Sequence, residues 1–144
     1  MKEQEALFEL RSFWFDLQYY DENITEIGML IKEINKLSNN LNDMELKKYD
    51  TTSVKYKIKT LRLKQHEQEE TLREVEERNN RVKKRIDNMP QPYKNILFLK
   101  YIKNNTFDEI AVKMHYSNKR IYQLHKKAVD FYLNMPEDDN IGND

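Results

Sequence analysis

The side chains best suited to chemistry in this 144-residue chain lie between Ser117 and Lys127. Eight of them can donate to phosphate oxygens or to the edges of bases: Ser117, Asn118, Lys119, Arg120, Tyr122, Gln123, Lys126 and Lys127. Amides pair with adenine, guanidinium and ammonium groups pair with guanine, and the cations also neutralise phosphates. The stretch therefore predicts a DNA-contacting helix. Base edges are assigned to Asn118, Lys119, Arg120 and Gln123, and phosphates to Ser117, Tyr122, Lys126 and Lys127.

The helix predicted to contain this stretch also carries an apolar stripe that must pack against other helices. Its predicted members are Ile121, Leu124, Ala128, Phe131 and Tyr132. Their spacing of three and four residues places them on one helix face, opposite the polar side chains. The sequence therefore predicts a helix that is buried on one side and presents the eight candidate residues on the other.

Local signals ahead of this helix predict two shorter helices. Pro90 and Pro92 favour a helix start near Tyr93, because proline lacks a backbone donor and keeps the preceding residue out of the helical region. Thr106 followed by Glu109 has the form of a capping box for a short helix from Phe107 to Met114. Ser117 is a second N-cap. Residues 89–134 are therefore expected to form a three-helix helix-turn-helix domain.

These residues resemble region 4 of the bacterial sigma-70 family. The resemblance is carried by Glu109-Ile110-Ala111-x-x-Met114, by Ser117-x-x-x-Ile121, and by His125 and Ala128, where the family often has an H-x-x-A-L run. His115 is a departure, since the family commonly has glycine at the turn. The resemblance implies that Ser117 to Lys127 lie in the major groove at a promoter.

Charge is distributed unevenly along the chain although its formal net charge is zero. Residues 89–133 hold eight Lys/Arg against three Asp/Glu, which is the balance expected of a nucleic-acid-binding module. Four basic residues just upstream are expected to extend this surface: Arg81, Lys83, Lys84 and Arg85. Residues 135–144 are expected to be an acidic, disordered tail. An ordinary solvated helix face is the alternative interpretation of the basic residues.

Residues 1–88 are expected to form a helical coiled-coil region for dimerisation or partner binding. A heptad-like seam runs through Ile58, Leu61, Gln65, Gln68, Leu72, Val75, Asn79, Val82 and Ile86. A second seam runs through Ile24, Ile27, Ile31, Ile34, Leu37 or Ser38, and Leu41. The two seams favour an intrachain antiparallel hairpin, and a homodimeric coiled coil is the rival arrangement.

An aromatic-rich segment, Leu7 to Tyr20, precedes both seams and contains the single tryptophan. Aromatic side chains contribute large apolar areas to cores, so the segment is expected to pack over one end of the helices. Aromatics also dominate protein–protein contacts, and a partner-binding role is the alternative.

No pattern typical of an enzyme or a metal site is present. The chain has no cysteine, and the three histidines, His66, His115 and His125, lack metal-ligand spacing. Neither glycine, Gly28 or Gly142, belongs to a phosphate-binding loop. We therefore expect no enzymatic activity, no metal and no cofactor. No apolar run is long enough for a leader or a membrane span, so the protein is expected in the cytoplasm of a bacterial host cell, with no membrane contact.

The chain as a whole is expected to be all-α, with the helical region followed by the sigma region 4-like domain and the tail. This layout is similar to the phage late-gene transcriptional activators of the ArpU/RinA type. That resemblance implies promoter DNA and host RNA polymerase as partners, and it leaves room for a small inhibitory protein. One alternative is a protein-binding factor that uses the region 4-like fold to engage RNA polymerase or a sigma factor. Another is a structural coiled-coil adaptor.

Overall fold

The computed structural model describes residues 1–136, and its regular structure is entirely helical. The helices are α1 (Glu3–Leu46), α2 (Thr52–Asp87), α3 (Tyr93–Leu97), α4 (Phe107–Met114) and α5 (Asn118–Asn134). A π-helical segment, Phe98–Ile102, follows α3 directly. No strand occurs in the described part, which confirms the predicted all-α class. The predicted acidic tail lies, from residue 137 onward, outside the described residues.

The described chain divides into two compact units that do not follow the boundary predicted at residue 88. One unit contains Met1–Asp16 and the chain from Arg78 onward, and the other is Leu17–Glu77. The reason is packing, because the start of α1 and the end of α2 are buried together with α3, α4 and α5. Pro90 follows the end of α2, which is why the sequence predicted a domain boundary there. The hydrophobic core nevertheless includes residues on both sides of this position.

The core of the first unit combines residues from every helix. Ala6, Leu10 and Phe13 of α1 and Val82 and Ile86 of α2 are fully buried. They join a cluster from the following helices: Ile96, Leu97, Tyr101, Ile110, Ala111, Ile121, Leu124, Ala128, Val129 and Tyr132. The helix that carries the candidate DNA-binding residues, α5, therefore shares one core with α3, α4, the start of α1 and the end of α2.

The prediction that the basic residues at the end of α2 extend the basic surface is wrong for Arg85. Arg81 Nε donates to Glu9 Oε1 at 3.0 Å, and Lys83 Nζ lies over the Phe13 ring. Arg85 is buried and donates to the backbone oxygen of Tyr132. Of these three side chains only Arg85 is used inside the unit, whereas Arg81 and Lys83 stay at its surface, Arg81 in an ion pair with Glu9.

Residues Leu17–Glu77 form an antiparallel helical hairpin. Exposed ion pairs of 3.6–3.7 Å join its two helices at Lys55–Glu45, Lys57–Glu33 and Lys64–Glu26. Pairs that are this exposed contribute at most about 1 kcal/mol each. Burial of the apolar seam must therefore supply most of the stability of the hairpin.

In this hairpin the predicted seam on α2 is confirmed, whereas the contact line on α1 differs from the predicted seam. Within the unit, every predicted seam residue of α2 is buried or half-buried. On α1 the contact line is shifted, since Asn23 and Leu30 are buried while Ile24 and Ile31 are 46% and 40% exposed. The predicted seam on α1 is therefore wrong at these two isoleucines. A single neighbouring helix covers only one side of a helix that has apolar residues on two adjoining sides.

Candidate nucleic-acid interface

Two side-chain caps fix where α4 and α5 begin. The Thr106 hydroxyl accepts from the Glu109 amide at 3.2 Å, and it also donates to the Glu109 carboxylate at 3.2 Å. Glu109 therefore bonds the hydroxyl of Thr106 rather than its backbone amide, which a full capping box would use. The Ser117 hydroxyl accepts from the Arg120 amide at 3.1 Å. Both predicted caps are confirmed, and Ser117 is committed to holding the first turn of α5.

The turn between α4 and α5 depends on a left-handed residue. His115 has φ 60° and ψ 39°, and the Tyr116 amide donates to the Ala111 carbonyl at 3.1 Å. This is the conformation that glycine adopts most readily at the end of a helix. Histidine adopts this conformation here, so the turn forms without a glycine.

α5 buries one side and exposes the other. Its buried residues are Ile121, Leu124, Ala128, Val129 and Tyr132. The predicted stripe is thus correct except at Phe131, which is 39% exposed, while the neighbouring Val129 is buried. Phe131 lies at the edge of the contact, where its ring centroid is 5.9 Å from that of Tyr93.

All eight predicted DNA-binding side chains are exposed, and all lie on or beside the outer face of α5. Lys119, Gln123 and Lys126 follow one another at helical spacing along the centre of this face, with Lys127 at its flank. None of these four makes a hydrogen bond or ion pair with another group in the described part of the chain. Their polar groups are therefore available to a ligand.

Besides the capping Ser117, three of the eight have intramolecular partners. Asn118 Nδ2 donates to Asp108 Oδ1 at 2.9 Å, which joins the first turns of α4 and α5. The Arg120 guanidinium lies 6.0 Å from the centroid of the Tyr116 ring. The Tyr122 ring packs on Phe107, with centroids 4.8 Å apart. A base contact by Asn118 would have to compete with its bond to Asp108, whereas Arg120 and Tyr122 keep their polar ends free to donate.

Sequence reasoning overlooked three side chains at this surface, namely Asp108, Val112 and Tyr116. Asp108 places a carboxylate beside the first turn of α5. Val112 and Tyr116 are 75% and 42% exposed, so this surface also has an apolar edge. The exposure of Val112 could have been predicted from the sequence, because it directly follows Ile110 and Ala111. Three consecutive residues cannot all lie on the buried face of one helix.

Behind the exposed face, His125 takes part in an aromatic and basic cluster. Its Nε2 is 2.7 Å from the Tyr101 hydroxyl, and the Phe107 ring meets its ring edge-on at 5.0 Å between centroids. Burial, followed by the charges of Lys100 and Arg11, lowers the pKa of His125 from 6.5 to about 4. At neutral pH His125 is therefore an uncharged packing residue and makes no ionic contact with phosphate.

The low pKa of His125 predicts a pH-dependent stability. The pKa is lower in the folded than in the unfolded chain, so the unfolded state binds more protons between about pH 6.5 and 4. We expect the contribution of His125 to the free energy of unfolding to be intact above pH 6.5 and to fall by about 3 kcal/mol by pH 4. Urea unfolding at several pH values measures it. The His125→Gln chain should lack this component of the slope, and equal slopes in both chains would contradict the assignment.

Metal sites and membrane-spanning helices are absent from the described residues. Across residues 1–136, no group of His, Asp and Glu side chains is arranged to hold a metal ion. The same part of the chain has no helix whose length and apolar character would let it span a bilayer. Comparison with protein-family models, with curated proteins and with solved structures finds no match for this chain.

Proposed function

We propose that this chain is a sequence-specific, double-stranded DNA-binding transcription regulator. In this proposal residues 89–134 act as a sigma region 4-like helix-turn-helix domain, and α5 is the recognition helix. The hairpin is a coiled-coil region that serves dimerisation or contact with RNA polymerase. The proposed biological setting is a phage-type activator of late genes that works with the host polymerase in the bacterial cytoplasm.

The observation that carries the proposal is the outer face of α5. Lys119, Gln123, Lys126 and Lys127 have no partner among the described residues, and the Ser117 cap holds the helix start beside them. Three cations and one amide that stay unpaired on one helix face suit a surface of phosphates and base edges. A helix that only needed solubility would gain more from carboxylates interspersed among its lysines.

The structure supports a refined division of roles among the eight side chains. Gln123 and Lys119 are assigned to base edges, because they lie at the centre of the exposed face. Arg120 joins them with its guanidinium oriented beside Tyr116. Lys126, in the third turn of α5, and Lys127, at the flank of the face, are assigned to phosphates. Asn118 is assigned to positioning α5 against α4 through Asp108.

Two kinds of substitution should separate base reading from phosphate binding. Arg120→Ala or Gln123→Ala is expected to weaken binding to the preferred site by about 1–3 kcal/mol and to relax the preference at one position. Lys126→Ala or Lys127→Ala should weaken binding to all sequences and reduce the slope of log affinity against log salt by about 1. Selection of preferred sites from random duplexes, followed by titrations at several salt concentrations, measures both effects.

Lys36→Ala is the matched control, because Lys36 is an exposed lysine of the hairpin and does not belong to the unit that contains α5. It should leave affinity, preference and salt slope unchanged. If the four α5 variants also bind like the parent, then α5 is not the recognition helix. Ser117→Ala is a poor probe of phosphate contact, because loss of the cap destabilises the helix by about 1 kcal/mol.

A second candidate function is favoured by the apolar edge of the same surface. Val112 and Tyr116 are exposed beside α5, and Asp108 adds a carboxylate that a phosphate backbone would repel. Exposed aromatic and apolar side chains are typical of protein contacts. Under this alternative the region 4-like surface binds RNA polymerase or a sigma factor instead of DNA.

Footprinting on DNA around the gene cluster, with and without RNA polymerase, separates the two candidates. Protection by the protein alone would support the DNA-binding regulator. Protection only when polymerase is present would favour the polymerase-bound role, and Val112→Lys and Tyr116→Ala should then abolish it. The absence of protection in both conditions would contradict the DNA-binding proposal.

A further inference from the structure

One side of α1 in the Leu17–Glu77 hairpin has no partner in the described chain. Leu17, Ile24 and Ile31 repeat at seven-residue intervals and are 37%, 46% and 40% exposed. Residues seven apart lie almost directly above one another on a helix. The other members of this side are Tyr20, Asp21, Gly28, Asn35, Ser38 and Asn42. We call this set the α1 stripe, and Asp21 is its only charged member.

The α1 stripe contains a glycine, Gly28, that contacts within the described chain do not explain. A Cβ atom at Gly28 would meet nothing within 4 Å, so packing inside the described chain does not require a glycine there. Glycine inside a helix is less favourable than alanine by about 0.5–1 kcal/mol. A missing side chain between Ile24 and Ile31 lets a second helix approach the backbone of α1 closely.

Charge is strongly segregated along the same hairpin. The tip half, residues 32–64, has nine Lys/Arg and four Asp/Glu, a net charge of +5. The base half, residues 17–31 and 65–77, has one Arg and nine Asp/Glu, a net charge of −8. Both helices of the base half are acidic, so folding of the hairpin leaves most of this charge unneutralised, although Lys64 of the tip half pairs with Glu26 of the base half. A partner that presents positive charge along the base half would relieve the repulsion.

From these observations we infer that the α1 stripe is the contact between two copies of this chain, packed antiparallel about a two-fold axis. In this arrangement the tip half of one copy lies along the base half of the other. Charges of +5 and −8 then face each other at both ends, as two-fold symmetry requires. The stripe from Leu17 to Asn42 is about 38 Å long at 1.5 Å per residue, which gives a continuous helix–helix contact.

A nucleic acid fits the same surface less well. The tip half alone would attract a polyanion, but the base half would repel it and the stripe would stay exposed to water. The unpaired isoleucines, the uncharged surface around them and the charge segregation are all explained by a second copy. The inference does not depend on the proposed DNA-binding function, because its interface lies on the hairpin.

Sedimentation equilibrium of the full chain without DNA tests the inference. The wild-type chain is expected to dimerise, and high salt should weaken the dimer because the complementary charges are screened. Ile24→Glu should raise the dimer dissociation constant by about 10–100-fold, because it places an unpaired carboxylate in the contact. Met29→Glu is the control, since Met29 is a 66% exposed apolar residue of α1 outside the stripe. It should leave the dissociation constant unchanged.

The absence of cysteine allows the orientation to be tested separately. An Asp21→Cys chain and an Asn42→Cys chain are mixed and treated with a short bismaleimide. The antiparallel arrangement predicts mainly mixed cross-links between the two chains, because position 21 of one copy lies near position 42 of the other. Cross-links mainly within each variant would indicate parallel packing and overturn the proposed orientation.

Three further outcomes would overturn the inference. One is a wild-type chain that stays monomeric at the highest concentration reached, and another is an equal response to Ile24→Glu and Met29→Glu. The third is a monomeric chain whose affinity for DNA falls when Lys59 and Arg62 are replaced by Glu. That result would mean that the tip half binds nucleic acid. Far-UV circular dichroism must show that the Ile24→Glu chain keeps the parental helix content, and Ile31→Glu replaces it if it does not.

Discussion

Phe13→Ala is expected to destabilise the unit that carries the candidate interface by about 3–5 kcal/mol. Phe13 is fully buried, although it lies more than a hundred residues before α5 in the sequence. Its removal leaves a cavity in the core that it shares with Val82 and Ile86, and this core supports α3, α4 and α5. A loss of this size is a large part of the 5–15 kcal/mol that stabilises a typical domain. Urea unfolding, followed through the helical signal, measures it.

Phe15→Ala provides the matched control, because the same side chain is removed two residues further along the same helix. Phe15 is 70% exposed, so its loss should change the free energy of unfolding by no more than about 0.5 kcal/mol. Under the proposed function, DNA binding that is weakened in the Phe13→Ala chain should recover on cooling or with a stabilising osmolyte, since the effect is on folding. Equal destabilisation by the two variants would mean that the start of α1 does not pack on this core.

The contrast between Phe13 and Phe15 also shows what the sequence could not supply. The segment Leu7–Tyr20 is apolar on several sides of the helix, so its composition indicates burial without indicating which side is buried. Phe13 lies in the core, whereas Phe8 and Phe15 are mostly exposed. Predicting that division requires the position of the other helices, which depends on contacts between distant parts of the chain.

The same limit explains the shifted seam on α1. Ile24, Ile27, Ile31 and Ile34 have heptad spacing, and the pattern correctly indicates a helix with an apolar contact. It does not specify whether the neighbour covers the side of Ile24 or the side of Leu30. The hairpin covers Leu30, and Ile24 and Ile31 stay exposed for the contact proposed above.

Local signals were predictable because they act within one turn of helix. The Thr106 and Ser117 caps are bonds to amides three residues further on, so the sequence contains both partners. The bond from Asn118 to Asp108 joins residues ten apart on different helices. Its formation depends on the angle between α4 and α5, which the left-handed His115 sets. No sequence pattern considered in isolation specifies that angle.

Replacing Arg85 by methionine is expected to destabilise the same unit by about 3 kcal/mol. Arg85 is only 6% exposed, and its guanidinium lies 4.6 Å from the centroid of the Tyr132 ring. It donates to the backbone oxygen of Tyr132 and, at 3.5 Å, to that of Met135, at the end of α5. A cation at this end of a helix is favoured by the helix dipole, and the guanidinium is a second donor to the Tyr132 carbonyl, which also accepts from the Met135 amide at 3.3 Å. Methionine keeps much of the volume but removes the charged donor that binds both carbonyls.

Arg73→Met is the control for this substitution, because Arg73 is an exposed arginine of α2 whose ion pair with Glu70 is within one turn. Its effect on the free energy of unfolding should not exceed about 0.5 kcal/mol. Arg85→Lys should fall between the two, since an ammonium group keeps the charge but has no planar fork to reach both carbonyls. The position of Arg85 had a sequence signal, because it lies three residues after Val82 and ten after Val75, on the same face of α2. If Arg85→Met and Arg73→Met unfold at the same urea concentration, then Arg85 does not join α2 to α5, and its charge would again count toward a basic surface.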